Sequence, residues 1–349
     1  MASRPVDLPR RNACERNSLQ FRCAGGAVHP TRRRTARLEL GKLEAPVEEV
    51  FGRITDVAVD RSRGFFVLDG QARELRWFGP NGQFLDRVGR AGQGPGEFLS
   101  PTAVALGNAD EVAVLDVQNA RISWYRASDG TLTHLDDSRV ILGAFDFCLV
   151  GSTALVMASS PEGPGIFFVM GRDGSVERTF GAVPSVDPVT VAGVPASALA
   201  MVELSSVQGR IACDLDSDRF VVVHERLPIV RAFSLSGDVV WETRLRDYRQ
   251  VHWVADERLR MRLGPDPATG TAHTTREVAT TDDGRVIVSL HEGSLADPEG
   301  RLELRVLRMD TGEEVGGQFS RFTVRHHGFG QIVAVDPSPW PRLLVYEGH

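Results

Sequence analysis

Lysine is almost missing from this chain of 349 residues: Lys42 is the only one among 40 basic side chains, and every other is arginine. So uniform a preference reads as a compositional habit of the genome, without functional content. Cysteine is scarce too. Of the four, Cys14 and Cys23 lie nine apart, while Cys148 and Cys213 stand singly in apolar runs. With no CxxC pair and no paired cysteine and histidine cluster, a structural zinc site is not expected, and Cys148 and Cys213 are read as small core residues. No apolar run approaches the length needed to span a membrane as a helix. Residues 1–35 are basic, as the start of a secretory signal is, yet hold no apolar stretch of the required kind. GxSxG, HExxH, GxxxxGK and EF-hand loops are all absent, which removes the commonest hydrolase, metalloprotease, nucleotide and calcium signatures.

What is present begins with an ordinary globular composition, 42% hydrophobic and 25% charged, enough for a sizeable core. The net charge of −6 is unevenly spread. Residues 1–35 hold eight arginines against Asp7 and Glu15, a balance of +6, so residues 36–349 carry −12. An acidic body repels phosphate backbones, which argues against a nucleic-acid partner. Residues 1–35 have no periodicity and are rich in Arg, Pro and Asn, so they are expected to be a disordered segment. They are either a tail able to touch an anionic surface or the product of an upstream start codon.

Residues 36–349 repeat. Leu68-Asp69-Gly70-Gln71 through Trp77-Phe78 returns as Leu115-Asp116-Val117-Gln118 through Trp124-Tyr125, 47 residues later, a period that points to a propeller or an array. Six short turns of Gly, Asp, Asn, Ser or Pro chemistry each join two β-rich runs: Asp60–Gly64, Gly107–Asp110, Gly151–Thr153, Asp216–Asp218, Asp282–Gly284 and Asp336–Pro341. They predict six inner hairpins, hence six blades. A second class of turn, between the third and fourth runs, occurs five times, at 79–82, 128–130, 172–174, 235–238 and 310–312. Six against five is what a ring closed by its two ends produces. The alternating run Arg37-Leu38-Glu39-Leu40 is the strand available to complete the last blade. The expectation is an all-β, six-bladed β-propeller closed by an N-terminal strand joining the C-terminal blade, which also removes exposed sheet edges.

The segment Arg90-Ala91-Gly92-Gln93-Gly94-Pro95-Gly96-Glu97-Phe98, with Pro101 to Ala105, Asp116, Asn119, Arg121, Ile122 and Tyr125, resembles an NHL repeat. In particular it is similar to the six-bladed propellers of bacteria that carry such repeats. The resemblance is specific over Leu99–Asp136, fair over Ile54–Val88, and reduces to strand rhythm from Phe145 onward. It implies that Gly94-Pro95-Gly96-Glu97-Phe98 links two blades, which displaces a phosphate-loop reading of the glycines. It also implies a bacterial source and a periplasmic or secreted location, since related propellers are often exported.

Two insertions break the period, Ala182–Val207 and Asp247–Ala272, and the second contains a run, Asp256–Arg262, compatible with a short helix. Long loops on a rigid scaffold are where recognition tends to reside. His326-His327 are read as loop histidines before the sixth inner run, and His252-Trp253 suits a ligand rim. Aligning the inner runs on their turns places Asp56, Thr102, Asp146 or Phe147, Arg210, Arg276 or Glu277, and Gln331 around the mouth of the channel.

From these residues the chain is expected to be a non-catalytic, monomeric binding module. It would take a protein, peptide or glycan at the channel mouth and the long loops, without nucleic acid, transmembrane segment or cofactor. The alternative, implied by the activities of related propellers, is a metal-dependent enzyme of lactonase or lyase type, with Asp56, Asp146 and Glu277 holding calcium, a cation suited to oxygen ligands.

Overall fold

The computed structural model describes residues 35–42, 44, 46–160, 165–185, 191, 194–255, 261–293 and 300–348. Cys14, Cys23 and the expected disordered segment up to residue 34 therefore lie outside the described residues, as does most of the run 256–262.

Six four-stranded antiparallel sheets follow one another along the chain. Blade 1 is Ile54–Asp60, Gly64–Asp69, Glu74–Phe78 and Phe84–Val88. Blade 2 is Pro101–Leu106, Glu111–Asp116, Arg121–Ser128 and Thr131–Arg139. Blade 3 is Ala144–Val150, Thr153–Ala158, Phe167–Met170 and Val176–Phe180. Blade 4 is Gly209–Asp214, Arg219–His224, Ile229–Ser234 and Val239–Arg244. Blade 5 is Ala272–Thr280, Arg285–Gly293, Arg301–Arg308 and Glu314–Ser320. Blade 6 takes Thr323–Gly328, Gln331–Asp336 and Arg342–Glu347 from the end of the chain and Leu38–Leu40 from near its start.

That last pairing closes the ring: Leu38 lies opposite Val345, Glu39 opposite Leu344 and Leu40 opposite Leu343. The missing outer turn of blade 6 is thereby explained. The frame of this blade differs from expectation by one strand, however. Its inner hairpin turns at Phe329-Gly330, whose φ angles of 56° and 70° are the left-handed pair a two-residue reversal needs. Asp336–Pro341 instead joins the second and third strands. Its Asp, Ser and Pro content announced a reversal correctly but could not say which one.

The second strands read as continuous apolar runs because each is covered on both faces by neighbouring blades. Gly64–Asp69 is buried at every position, while the outermost Phe84–Val88 is half exposed. The core is accordingly not one mass but six clusters, one per blade junction, around the ring. The cluster between blades 6 and 1 includes Leu40, Phe51, Phe65, Phe78, Val333 and Leu343.

The link between blades 1 and 2 is braced from blade 2. Asp116 accepts the N–H groups of Leu99 (2.8 Å) and Ser100 (2.9 Å). Asn119 donates to the Gly92 carbonyl (3.1 Å), and Arg121 donates to the carbonyls of Gln93 (3.1 Å) and Gly94 (2.7 Å). With its carbonyls pointed at these donors, the glycine segment is built as a linker.

Three features were not anticipated. Cys148 and Cys213, on the inner strands of blades 3 and 4, form a disulfide with Cα atoms 6.2 Å apart, so they are not free core thiols. The first insertion contains a helix, Ala196–Ser206. In the second, Met261–Gly264 pairs as a strand with His252–Ala255, which replaces the expected helical run over its described part.

Candidate ligand site at the channel mouth

Inner strands of a propeller border its channel, and a charged side chain near the start of one reaches the mouth. In five of the six blades the inner strand carries a β-bulge near that end: between Ile54 and Asp56, Pro101 and Ala103, Ala144 and Asp146, Thr275 and Glu277, and Val324 and His326. A bulge adds a residue and re-aims the side chains beside it.

Asp56 hydrogen-bonds across to the next blade, its Oδ2 accepting from the Val104 N–H at 2.8 Å. Asp146 does the same, Oδ2 accepting from the Ile211 N–H at 3.0 Å. Each also accepts the N–H of the residue that follows it. These carboxylates fix blade-to-blade register as well as carrying charge.

Arg325 of blade 6 is ion-paired to Glu277 of blade 5 and lies 3.5 Å from Asp56 of blade 1. Arg210 of blade 4 stands 3.9 Å from Asp146 of blade 3. Burial draws the Arg325 guanidinium down to about 10, against the pull of Asp56, and it remains charged at neutral pH. Burial pushes Asp146 up to about 6; Asp56 adds to this and Arg210 opposes it.

Of the residues placed at the mouth from sequence, Asp56, Asp146, Arg210 and Glu277 come together in this network. Thr102 sits beside it, donating to the Phe145 carbonyl at 3.4 Å. Phe147 is buried between blades 2 and 3, and Arg276 is exposed. Gln331 is not on an inner strand; it begins the second strand of blade 6 and accepts a hydrogen bond from Arg37 at 3.3 Å. The one-strand frame error put it there, and the same error hid Arg325. A lone arginine inside the β-rich run Thr323-Val324-Arg325 was the available signal. His326 and His327 lie in this inner strand, not in a loop, and His326 packs against the Phe329 ring at 5.2 Å.

The alternative placed a cation such as calcium among Asp56, Asp146 and Glu277. Arg325 stands between two of them, and no group of three metal-ligating side chains suited to an ion occurs among the described residues.

Both insertions enter beside this mouth, since each precedes the start of an inner strand, Gly209 in blade 4 and Ala272 in blade 5. The first is tied down by His224, whose Nδ1 lies 2.9 Å from the Val207 carbonyl, and by Arg226, which donates to the Ser205 carbonyl at 3.1 Å. The second presents His252 and Trp253, half-buried, with Val254 exposed.

Comparison with known proteins agrees with this architecture. A family model described as DUF5128, a 6-bladed beta-propeller, matches residues 36–151. The chain is a six-bladed β-propeller. A DUF4221-family structure from Bacteroides vulgatus is 11% identical, with a TM-score of 0.58 over 90% of this chain and 97% of that one. A Bacteroides fragilis protein thought to be exported is 10% identical, with a TM-score of 0.54 over 91% of this chain and 98% of its own. At such identities the likeness is one of fold. No curated protein matches the chain significantly. No helix among the described residues is long and apolar enough to cross a membrane.

Proposed function

We propose that this propeller is a non-catalytic binding module, which takes a protein, peptide or glycan at the channel mouth and against the two insertions. The observation that carries this reading is convergence: the charged ring, the helix Ala196–Ser206 and the hairpin bearing His252 and Trp253 all belong to the end where inner strands begin. A rigid ring fixes the charged groups, and longer segments around it supply variable contacts. The carboxylates that an enzyme would use to hold a metal are engaged by guanidinium groups and by backbone N–H groups, which favours recognition over metal-assisted chemistry.

Blades 1 and 2 are read as NHL repeats, supported by the bracing of residues 92–100 by Asp116, Asn119 and Arg121. The Cys148–Cys213 bond is of the kind that persists in oxidising compartments, and it supports a periplasmic or secreted location.

Peptide and glycan arrays probed with the purified protein test the reading, with each hit re-measured on Arg210→Ala and Trp253→Ala. Ligands are expected to lose at least tenfold in affinity on one or both variants. Ligands that bind both variants as well as the parent protein would place recognition elsewhere on the molecule.

A further inference from the structure

Each blade ends on an outermost strand whose free edge leaves main-chain N–H and C=O groups open to pairing. Charged side chains within such a strand keep a second chain off it. Five of the six outermost strands are guarded in this way, by Arg87 in Phe84–Val88, Asp136 in Thr131–Arg139, Glu177 in Val176–Phe180, Glu242 in Val239–Arg244 and Glu39 in Leu38–Leu40. Glu314–Ser320 of blade 5 departs from the pattern. Its one charged residue, Glu314, stands at the first position and is turned onto Arg305 at 2.6 Å. The run Gly316-Gly317-Gln318-Phe319-Ser320 carries no charge at all.

The same run is straight and bare. It pairs without a break with residues 302–306, from Ser320 opposite Leu302 to Gly316 opposite Val306, and the bulge of this strand falls beyond Gly316. The edge is therefore not blunted by a kink either. A Cβ on Gly316 would meet nothing within 4 Å. Phe319 is 59% exposed, with the Arg301 guanidinium 5.7 Å from its ring centroid. An uncharged edge with a solvent-facing aromatic two residues from a glycine has what another strand needs: free main-chain groups, an apolar side chain and room beside it.

We infer that this edge pairs with the same edge of a second copy of the chain, antiparallel about a twofold axis at Gln318, in place of the monomer expected from sequence. Pairing centred there sets Gly316 opposite Ser320, Gly317 opposite Phe319 and Gln318 opposite its own counterpart. No charges face each other within it. Each Phe319 ring covers the other copy's Gly317, the arrangement by which an aromatic side chain compensates a glycine in a sheet edge. Past the paired run, exposed Arg321 comes within reach of exposed Glu313 of the other copy, so that opposite charges meet at both ends. A contact that uses the same patch on both copies closes at two chains and does not run on into a fibre. Five paired residues a side bury less than the roughly 1,000 Å² of a lasting interface, so the dimer forms and dissociates with concentration.

Sedimentation velocity of the full chain over a concentration series, at about 0.15 M salt to screen the net charge of −6 on each copy, tests this. The parent protein is expected to pass from one chain to two as concentration rises, and Phe319→Ala to need at least tenfold more protein for the same shift. Gln318→Lys and Gln318→Glu each set like charges face to face at the axis. Each by itself should stay a single chain, with an unchanged melting temperature. An equimolar mixture of the two should recover the dimer, which substitutions that merely damaged the fold could not do. A parent protein that keeps the mass of one chain up to about 1 mM would overturn the proposal. So would charge variants that associate as the parent does, or a mixture that stays monomeric where the parent dimerises.

Discussion

His224 shows how a single buried side chain ties the fold to pH. It lies on the second strand of blade 4, 1% exposed, with Nδ1 bonded to the Val207 carbonyl at the end of the first insertion and Nε2 without a partner among the described residues. Burial pulls it down to about 4, outweighing the opposing effect of the Val207 carbonyl. The unfolded chain binds this proton near pH 6.5, so the unfolded state holds more protons between 6.5 and 4. Stability from this site is fully present above pH 6.5 and is lost as pH falls toward 4. At pH 4.5 the loss is about 2.5 kcal/mol. His224→Phe removes both the titration and a hydrogen bond worth about 1 kcal/mol. Urea unfolding should therefore find the variant less stable than the parent at pH 7.5 and more stable at pH 4.5. Asp146, raised to about 6, acts with the opposite sign over its own range, but it is common to both proteins and cancels in the difference. A gap between the two proteins that does not change with pH would show that His224 is not held neutral by burial.

Among elements, the three-residue strand Leu38–Leu40 carries the greatest consequence for its length. It covers the edge of Arg342–Glu347, adds Leu40 to the cluster between blades 6 and 1, and is held at its ends by Arg37 N–H to the Val345 carbonyl (2.7 Å) and Arg342 to Glu39 (3.1 Å). Without it, blade 6 would expose a strand edge bearing Leu343 and Val345, a template for pairing between chains. Removing residues 1–41 should give a protein that associates more than the parent in light scattering, and a peptide of residues 35–42 added in trans should reverse that association. The milder Leu40→Ala should cost about 3 kcal/mol. A truncated protein that associates no more than the parent and keeps its urea midpoint would contradict this account. The closing strand was legible in the sequence because counting inner and outer turns leaves one strand unassigned, and that count survives an error in either class. Blade 6 was misframed all the same. A Phe-Gly pair carries weaker turn chemistry than Asp-Pro-Ser-Pro, so the stronger signal won although it marked the wrong reversal. Gln331 was consequently expected on an inner strand in place of Arg325, whereas Asp56, Asp146, Arg210 and Glu277, in correctly framed blades, do lie on inner strands. The disulfide had a signal that went unread: Cys148 lies three residues before Gly151 and Cys213 three before Asp216, the same offset on two neighbouring inner strands.

At the scale of the whole molecule, the ring holds only if all six junctions hold, since opening one turns a closed ring into an arc with two free faces. Stability in such repeats is carried largely by nearest-neighbour interfaces. Blades 1 and 2 are joined by residues 89–100 and blades 2 and 3 by residues 140–143, whereas blades 3 and 4 are joined only through residues 181–208. A long connection does little to keep two blades in register, and it is across this junction that Cys148 and Cys213 are bonded. The bond closes a separation of 65 residues, which in the chain-entropy picture stabilises the fold by about 4 kcal/mol. The cysteines also stand two residues along from Asp146 and Ile211, which share the hydrogen bond between the same two strands. Loosening the bond therefore reaches the charged ring directly. Reduction, or Cys148→Ser with Cys213→Ser, should lower the urea midpoint and should raise hydrogen exchange first in the inner strands of blades 3 and 4. Exchange that rises evenly around all six blades would mean that the bond acts on the unfolded chain alone. An unchanged midpoint would mean that the other contacts of this junction hold it unaided.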